Sequence, residues 1–199
     1  MIGLALDIIR QELNNYLVLK LDQAPDTNVI TLFNVSQLGS EGGSGNNNDA
    51  SANAFFTLVN IEEDRISKSP ENFIRNTNGT LTYKNPKIFL NLYLLFSINN
   101  TSEYKTALGQ LSFIIQFFQY KNVFTPLTTP ALPAGVDELI FDLYTISFQD
   151  LNNLWGILGS KYLPSIMYKM RLIAISEEFE LGGAGLIQKI AVNSKSLQQ

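Results

Sequence analysis

The sequence predicts one compact α+β domain, in which a single mixed or antiparallel sheet is flanked by helices and followed by a flexible C-terminal arm. Three observations support this fold class. The length of 199 residues is that of one domain. Helical and strand periodicities are mixed without the regular alternation of a parallel α/β fold. Glycines after residue 180 and a polar end indicate an arm, so we place the domain at residues 1–181 and the arm at 182–199.

The chain begins with an amphipathic helix. Apolar residues recur at helical spacing from Ile2 to Leu17, which predicts an amphipathic N-terminal helix. A turn and a short strand over Val29–Val35 follow. Residues 39–54 contain no large apolar side chain, and this predicts a flexible loop between two strands. The loop is glycine-rich but lacks the Gly-Lys-Ser/Thr ending of a phosphate-binding loop.

Two strands are predicted for the centre of the sheet. Phe55–Ile61 alternates as a strand does, and Glu62, Glu63 and Asp64 follow it. Because neighbouring strand residues point to opposite faces, we expect these carboxylates at a solvated strand end rather than around a cation. The run Ile88–Ile98 is almost continuously apolar, which predicts a central strand covered on both faces.

The second helix carries the candidate interface. Asn100 is predicted as its N-cap with Glu103 as the capping partner, and the helix extends through Tyr120. Phe113, Phe117 and Tyr120 lie roughly opposite its main apolar stripe. That stripe comprises Tyr104, Ala107, Leu108, Leu111, Ile114, Ile115 and Phe118. Either another part of the chain covers the three aromatic residues, which we favour, or a neighbouring subunit does, so we treat them as candidate subunit-interface residues.

The remainder of the domain is predicted as a proline-containing loop, a strand, a short helix and a last strand. The predicted ranges are Asn122–Gly135 for the loop, Leu139–Phe148 for the strand, Asp150–Leu158 for the helix and Ile166–Ile175 for the last strand. Gly159 is placed to terminate the helix. Trp155 is expected to pack the helix against the sheet, because large aromatic side chains mostly bury.

The composition excludes most familiar chemistry. The chain has no histidine and no cysteine, so it has no Ser-His-Asp triad, cysteine nucleophile, zinc finger or disulfide. No catalytic or metal-binding constellation is recognised, and we expect no cofactor and no enzymatic activity. The net charge is −4 without a basic cluster, which argues against a nucleic-acid partner. Only 16% of residues are charged, which favours a surface covered by protein partners or a neutral, Asn-rich one.

Several segments resemble one known family. They are LNNYL (Leu13–Leu17), LVNIEED (Leu58–Asp64), NPKIFLNLYLLFS (Asn85–Ser97), YKTALGQLSFIIQFFQ (Tyr104–Gln119) and LNNLWGILGSKYLPSIMYKMRLIAI (Leu151–Ile175). In this order they resemble the cap, or tail-terminator, proteins of contractile injection systems, which are phage-tail-like particles. The resemblance covers most of residues 1–176 and implies a tail-terminator-like fold.

The resemblance implies a structural role with no catalytic residues. Such caps form a hexameric ring at the end of the particle away from the baseplate, where they terminate the inner tube and the contractile sheath. The implied partners are further copies of the chain, the sheath protein and the inner tube protein. In the arm, Leu186, Ile187, Ile190 and Val192 are candidates for contacting a neighbour or the sheath by strand addition.

Three other functions stay open from the sequence. The first is a phage tail-completion protein that joins tail to head, and the second is a monomeric adaptor for an effector. The third is a small carboxylate-dependent hydrolase, which would need a polar pocket with converging acids. No signal peptide or membrane span is recognised. We therefore expect synthesis in the bacterial cytoplasm, no membrane insertion, and a place in the assembled particle, inside the cell or released from it.

Overall fold

A six-stranded mixed sheet with helices on both faces forms the centre of the molecule. The computed structural model describes residues 1–38, 53–64, 73–75, 81–83, 88–100, 103–175 and 181–184. The helices are α1 (Ile2–Lys20), α2 (Tyr104–Tyr120) and α3 (Phe148–Leu158). The strands are β1 (Ile30–Leu32), β2 (Ala54–Glu63), β3 (Phe73–Arg75), β4 (Leu81–Tyr83), β5 (Ile88–Ile98), β6 (Val123–Phe124), β7 (Glu138–Tyr144), β8 (Ser165–Ile175) and β9 (Leu181–Ala184). The predicted α+β class is confirmed.

The order of strands in the main sheet is β1-β2-β5-β8-β7-β6. All neighbours are antiparallel except β1 and β2, which are parallel. The predicted central strand is confirmed, because β5 pairs with β2 on one side and with β8 on the other. Successive residues of β5 enter different cores. Leu94 and Phe96 face α1 and α2, whereas Leu95 faces α3.

Helix α1 packs on the first face of the sheet through the stripe that the sequence predicts. Leu6, Ile9 and Leu13 are buried in the larger core. The buried amide of Asn14 joins this helix to the start of β1. Its Nδ2 donates to the Thr27 carbonyl at 3.0 Å, and its Oδ1 accepts the N–H of Val29 at 2.8 Å. One side chain thus satisfies backbone groups that burial would otherwise leave unpaired.

Helix α3 covers the second face of the sheet. Trp155 is buried there against Phe55, Leu95 and Met167, which confirms its predicted packing role. The Ser147 hydroxyl caps the helix by accepting the N–H of Asp150 at 3.1 Å. At the other end Gly159 adopts a left-handed conformation with φ +64°, as predicted for the residue that ends this helix.

A second sheet of three strands, in the order β3-β4-β9, was not predicted. Strand β3 lies in a polar segment that lacks strand periodicity. In strand β9, Ala184 pairs with Leu81 of β4. The arm was predicted to begin at residue 182, which lies within β9. Residues 182–184 therefore form part of a sheet in this structure.

Several predicted boundaries shift around β2 and its neighbour. Strand β2 begins at Ala54, so the predicted loop over 39–54 is too long by this residue, and residues 39–52 lie outside the described part of the chain. The strand continues to Glu63, because its pairing with β5 extends to Leu90. The expectation that Glu62 and Glu63 follow the strand is therefore wrong. The short strand β1 ends at Leu32, earlier than predicted.

Two further boundaries differ near the helices. The N-cap position of helix α2 is occupied by Glu103 and not by the predicted Asn100, so the helix begins three residues later than predicted. The Asn100 side chain does accept the N–H of Glu103 at 3.1 Å, but in the turn before the helix. Strand β7 ends at Tyr144, and Phe148 belongs to α3, because the Ser147 cap starts a helix there.

Candidate interaction surfaces

The three candidate aromatic residues of α2 have different environments. Phe117 is 4% exposed and packs against Tyr16 of α1 with ring centroids 5.3 Å apart. Phe113 is partly buried against the same core. Phe117 is therefore covered by another part of the same chain, which is the alternative that we favoured. In this structure Phe117 is a core residue and not an exposed interface residue. Tyr120 is 86% exposed and stays a prediction for that interface.

The buried face of α2 is rotated relative to the predicted stripe. Tyr104, Leu108 and Ile115 belong to that stripe, yet their side chains are exposed. The rotation arises because α2 packs against α1 as well as the sheet, which turns Phe117 inward. The three exposed residues form an apolar ridge along α2, at the border of its buried face.

The other candidate surface is the outer edge of β7. The two-residue strand β6 covers this edge at Leu139 and Ile140, and the Phe141 N–H donates to the Asn122 carbonyl at 2.8 Å. Because outward-directed backbone groups alternate along a strand, Leu143 also turns its N–H and C=O outward. Among the described residues nothing pairs with this edge beyond Phe141.

A shallow apolar groove borders this open edge. It has a volume of about 290 Å³, and its lining includes Leu143, Tyr144, Ile146 and Leu151. Leu143 is 58% exposed, and Phe148 at the start of α3 is 91% exposed. An open strand edge beside an apolar groove is the combination that binds extended peptide segments, since the backbone gives affinity and the groove takes a side chain.

The described residues bear on two requirements of a reactive site, a cluster of acidic ligands and an acid or base beside a groove. They contain no group of three or more acidic side chains that could hold a metal ion. A polar groove of about 440 Å³ lies near the start of α2 and is lined by uncharged residues such as Gln23, Asn53 and Gln110, so it offers no acid or base. Within the same ranges no helix is long and apolar enough to cross a membrane.

Two tyrosines have perturbed acidity for structural reasons. Burial, together with a 2.8 Å hydrogen bond from the Tyr93 hydroxyl to the Glu62 carboxylate, raises the pKa of Tyr93 to about 12. Burial alone raises the pKa of Tyr168 to about 12. Both shifts favour the neutral phenol, so neither residue is prepared to act as a base near neutral pH.

Some candidates lie outside the described residues. These are the arm positions Leu186, Ile187, Ile190 and Val192, whose contact role stays a prediction. The open edge of β7 was not recognised from the sequence. Its one available signal is the charge pattern, because four acidic and no basic residues occur between Lys121 and Lys161.

The family described as the Pvc16 N-terminal domain matches residues 6–189. The chain belongs to this family. The match includes both helices of the first face, the whole main sheet and β9, and it confirms the resemblance to cap proteins of contractile injection systems. Comparison with proteins of curated function finds no significant match.

A solved structure supports the fold. This chain is similar to the sheath/tube terminator of an extracellular contractile injection system, PVC, in its extended state, with a TM-score of 0.56 and 14% sequence identity. The similarity covers 94% of this chain and 62% of that one, so this chain spans about three-fifths of the relative's length. It is also similar to the tube-terminating cap of the anti-feeding prophage, with a TM-score of 0.48, 15% identity, and coverage of 72% and 49%.

Proposed function

We propose that this protein is a structural cap of a phage-tail-like contractile injection system. Six copies form a ring at the end of the particle distal to the baseplate, and the ring terminates the inner tube and the contractile sheath. Its partners are its own copies, the sheath protein and the tube protein. It works through surfaces and catalyses no reaction.

The observation that carries this proposal is the family match over residues 6–189. The fold supports it, because 94% of the chain has the fold of a protein described as a sheath/tube terminator. By that description the relative ends both a sheath and a tube. A chain of the Pvc16 N-terminal domain family that has this fold is best placed in the same kind of particle.

The surface of the molecule suits a ring. A ring of identical subunits uses heterologous contacts, in which two different patches of each subunit meet. The apolar ridge of α2 and the open edge of β7 are two different exposed apolar surfaces on different elements. The low charge of the chain agrees with this use, since the cores of protein interfaces are depleted in charged residues.

Electron microscopy of purified particles tests the proposal directly. We expect density for this chain at the sheath end distal to the baseplate, with six-fold symmetry, and we expect a deletion strain to make particles with irregular tube and sheath lengths. Complementation with the wild-type gene is the control. Density between a tail and a DNA-filled head would instead favour tail completion. A monomer that is absent from particles would overturn the cap proposal in favour of an adaptor.

A further inference from the structure

The open edge of β7 lies towards one end of the main sheet. Its residues Asp142 to Tyr144 stand opposite Lys169 to Met167 of β8. The strand end Ile175 of β8 lies at the other end of the sheet, beside Ile88. Six residues of β8 separate Lys169 from Ile175, which is a distance of about 20 Å along an extended strand.

The C-terminal arm is opposite in charge to the rest of the chain. Residues 181–199 contain Lys189 and Lys195 and no acidic residue, so their formal charge is +2. The whole chain has a charge of −4, which leaves −6 for residues 1–180. The stretch from 122 to 160, which contains β7 and α3, has four acidic and no basic residues. At the open edge itself Asp142 pairs with Arg171 at 2.9 Å, and Glu138 lies at the other end of β7, so the charge match is between the basic arm and the acidic body of the chain.

The arm also has the side chains that the edge requires. The segment Leu186–Val192 reads LIQKIAV, which contains no proline and no acidic residue. Its apolar side chains include Ile190 and Val192, which an extended backbone places on one face. The groove beside Leu143 and Tyr144 is apolar and large enough, at about 290 Å³, to take such side chains.

We propose that the segment Leu186–Val192 of a second copy of this chain adds as a strand to the outer edge of β7 and places an apolar side chain in the groove beside it. This inference rests on the proposed cap function, because a ring supplies the second copy. It names one heterologous contact between subunits, in which the arm of one subunit meets the edge of β7 in the next. Six such contacts close the ring.

The position of β9 favours the edge of a neighbour over the chain's own edge. Strand β9 pairs with β4, and β4 is joined by a short connection to the strand end at Ile88. Leu186 follows Ala184 by only two residues, which span at most about 7 Å. The chain's own open edge lies about 20 Å further along the sheet, so the first residues of the segment, Leu186 and Ile187, fall short of it within the same chain. A neighbouring subunit can present its edge without this constraint.

Disulfide trapping tests the contact, since the chain has no native cysteine. One sample carries Leu143→Cys alone, and a second carries one cysteine in the arm, at Gln188, Ile190 or Ala191 in turn. The two samples are mixed under conditions of ring assembly and then oxidised. We expect a covalent heterodimer for at least one arm position. Leu127→Cys, at a leucine that is 94% exposed in the loop after β6, is the matched control and should give no such product.

A positive charge introduced at the edge provides a second measurement. Because Leu143 is exposed, the lysine of Leu143→Lys stays in solvent and the fold is kept. The new charge repels the basic arm, so we expect ring formation to be lost. Leu127→Lys should leave ring formation unchanged.

The possible results distinguish a failure of the strand-addition contact from a failure of the proposed cap function. If the wild-type chain caps particles but no arm position gives a heterodimer, the strand-addition contact is wrong and the cap function stands. A third sample carries Leu143→Cys and the arm cysteine in the same chain; if it forms only an internal link and the mixed samples form no heterodimer, the arm binds its own edge and the proposal is overturned. Absence of the wild-type chain from particles would instead refute the cap function.

Discussion

Phe117 illustrates how much one side chain depends on tertiary packing. Periodicity on a single helix places it opposite the main apolar stripe, and that calculation is geometrically sound. Helix α1 nevertheless lies against that side of α2, with Tyr16 5.3 Å from the Phe117 ring, and Phe124 packs on it from the following strand at 6.3 Å. A one-dimensional pattern identifies apolar faces but does not identify which neighbour covers each of them.

A substitution pair separates core from surface on α2. Phe117→Ala should lower the free energy of unfolding by about 3–5 kcal/mol, because it removes a buried ring and leaves a cavity. Tyr120→Ala, three residues later and exposed, should change it by less than about 0.5 kcal/mol. Urea denaturation of the two variants measures both effects. Equal stability of the two variants would show that α1 does not cover Phe117. A substitution at Phe117 would disturb the core, so a loss of ring formation there would not identify an interface. A substitution at the exposed Tyr120 tests the interface itself.

The two shifted tyrosines predict how stability depends on pH. Tyrosine has an ordinary pKa of 10.0, and in the folded protein Tyr93 and Tyr168 have pKa values of about 12. Between these values the unfolded chain has lost protons that the folded chain retains, so the free energy of unfolding should fall as pH rises from about 10 to about 12. Below about pH 10 both states keep these protons, and these two groups contribute no slope.

Unfolding measurements at several alkaline pH values test this expectation. Tyr93→Phe should make the fall in stability with pH shallower, and it keeps the ring contact with Tyr144 at 4.9 Å. Tyr120→Phe removes an exposed hydroxyl and is the control, for which we expect the wild-type slope. A wild-type slope in Tyr93→Phe as well would mean that Tyr93 does not keep its proton longer in the folded state.

At the level of elements, the sequence predicted the long, periodic segments and missed the short ones. Helix α1, strand β5 and helix α3 have enough turns or residues for a pattern to be visible, and all three were found. Strands β3 and β4 have three residues each, which is too short for alternation to be measured. They form through pairing with each other and with β9, which lies about a hundred residues away in the chain. Such long-range pairing leaves little trace in a local pattern.

Two glycines of α3 should respond to alanine in opposite directions. Gly159 has φ +64° and its added Cβ would meet nothing within 4 Å, so Gly159→Ala should cost about 1 kcal/mol through backbone strain alone. Gly156 lies inside the helix and its Cβ would also meet nothing within 4 Å, so Gly156→Ala should stabilise the protein by about 0.5–1 kcal/mol. Thermal unfolding of both variants measures the difference. Stabilisation by both would show that α3 does not end in a left-handed residue.

At the scale of the whole molecule, the low charge and the absence of histidine and cysteine indicated a protein that works through its surfaces. The structure adds where those surfaces are, on the ridge of α2 and at the edge of β7. The ridge and edge could not be located from the sequence. Their exposure depends on which helix lies against α2, and on a strand β6 that covers only part of β7.

Two deletions distinguish the fold from the arm. Deletion of residues 185–199 leaves β9 paired with β4, so we expect an unchanged free energy of unfolding together with defective particles of irregular sheath length. Deletion of residues 181–199 also removes β9, which exposes the backbone edge of β4, and we expect additional loss of stability. Urea denaturation and electron microscopy of particles measure the two effects. Normal sheathed particles from the shorter deletion would show that the arm is dispensable for capping. Equal stability of the two truncated proteins would show that β9 contributes no stability to the domain.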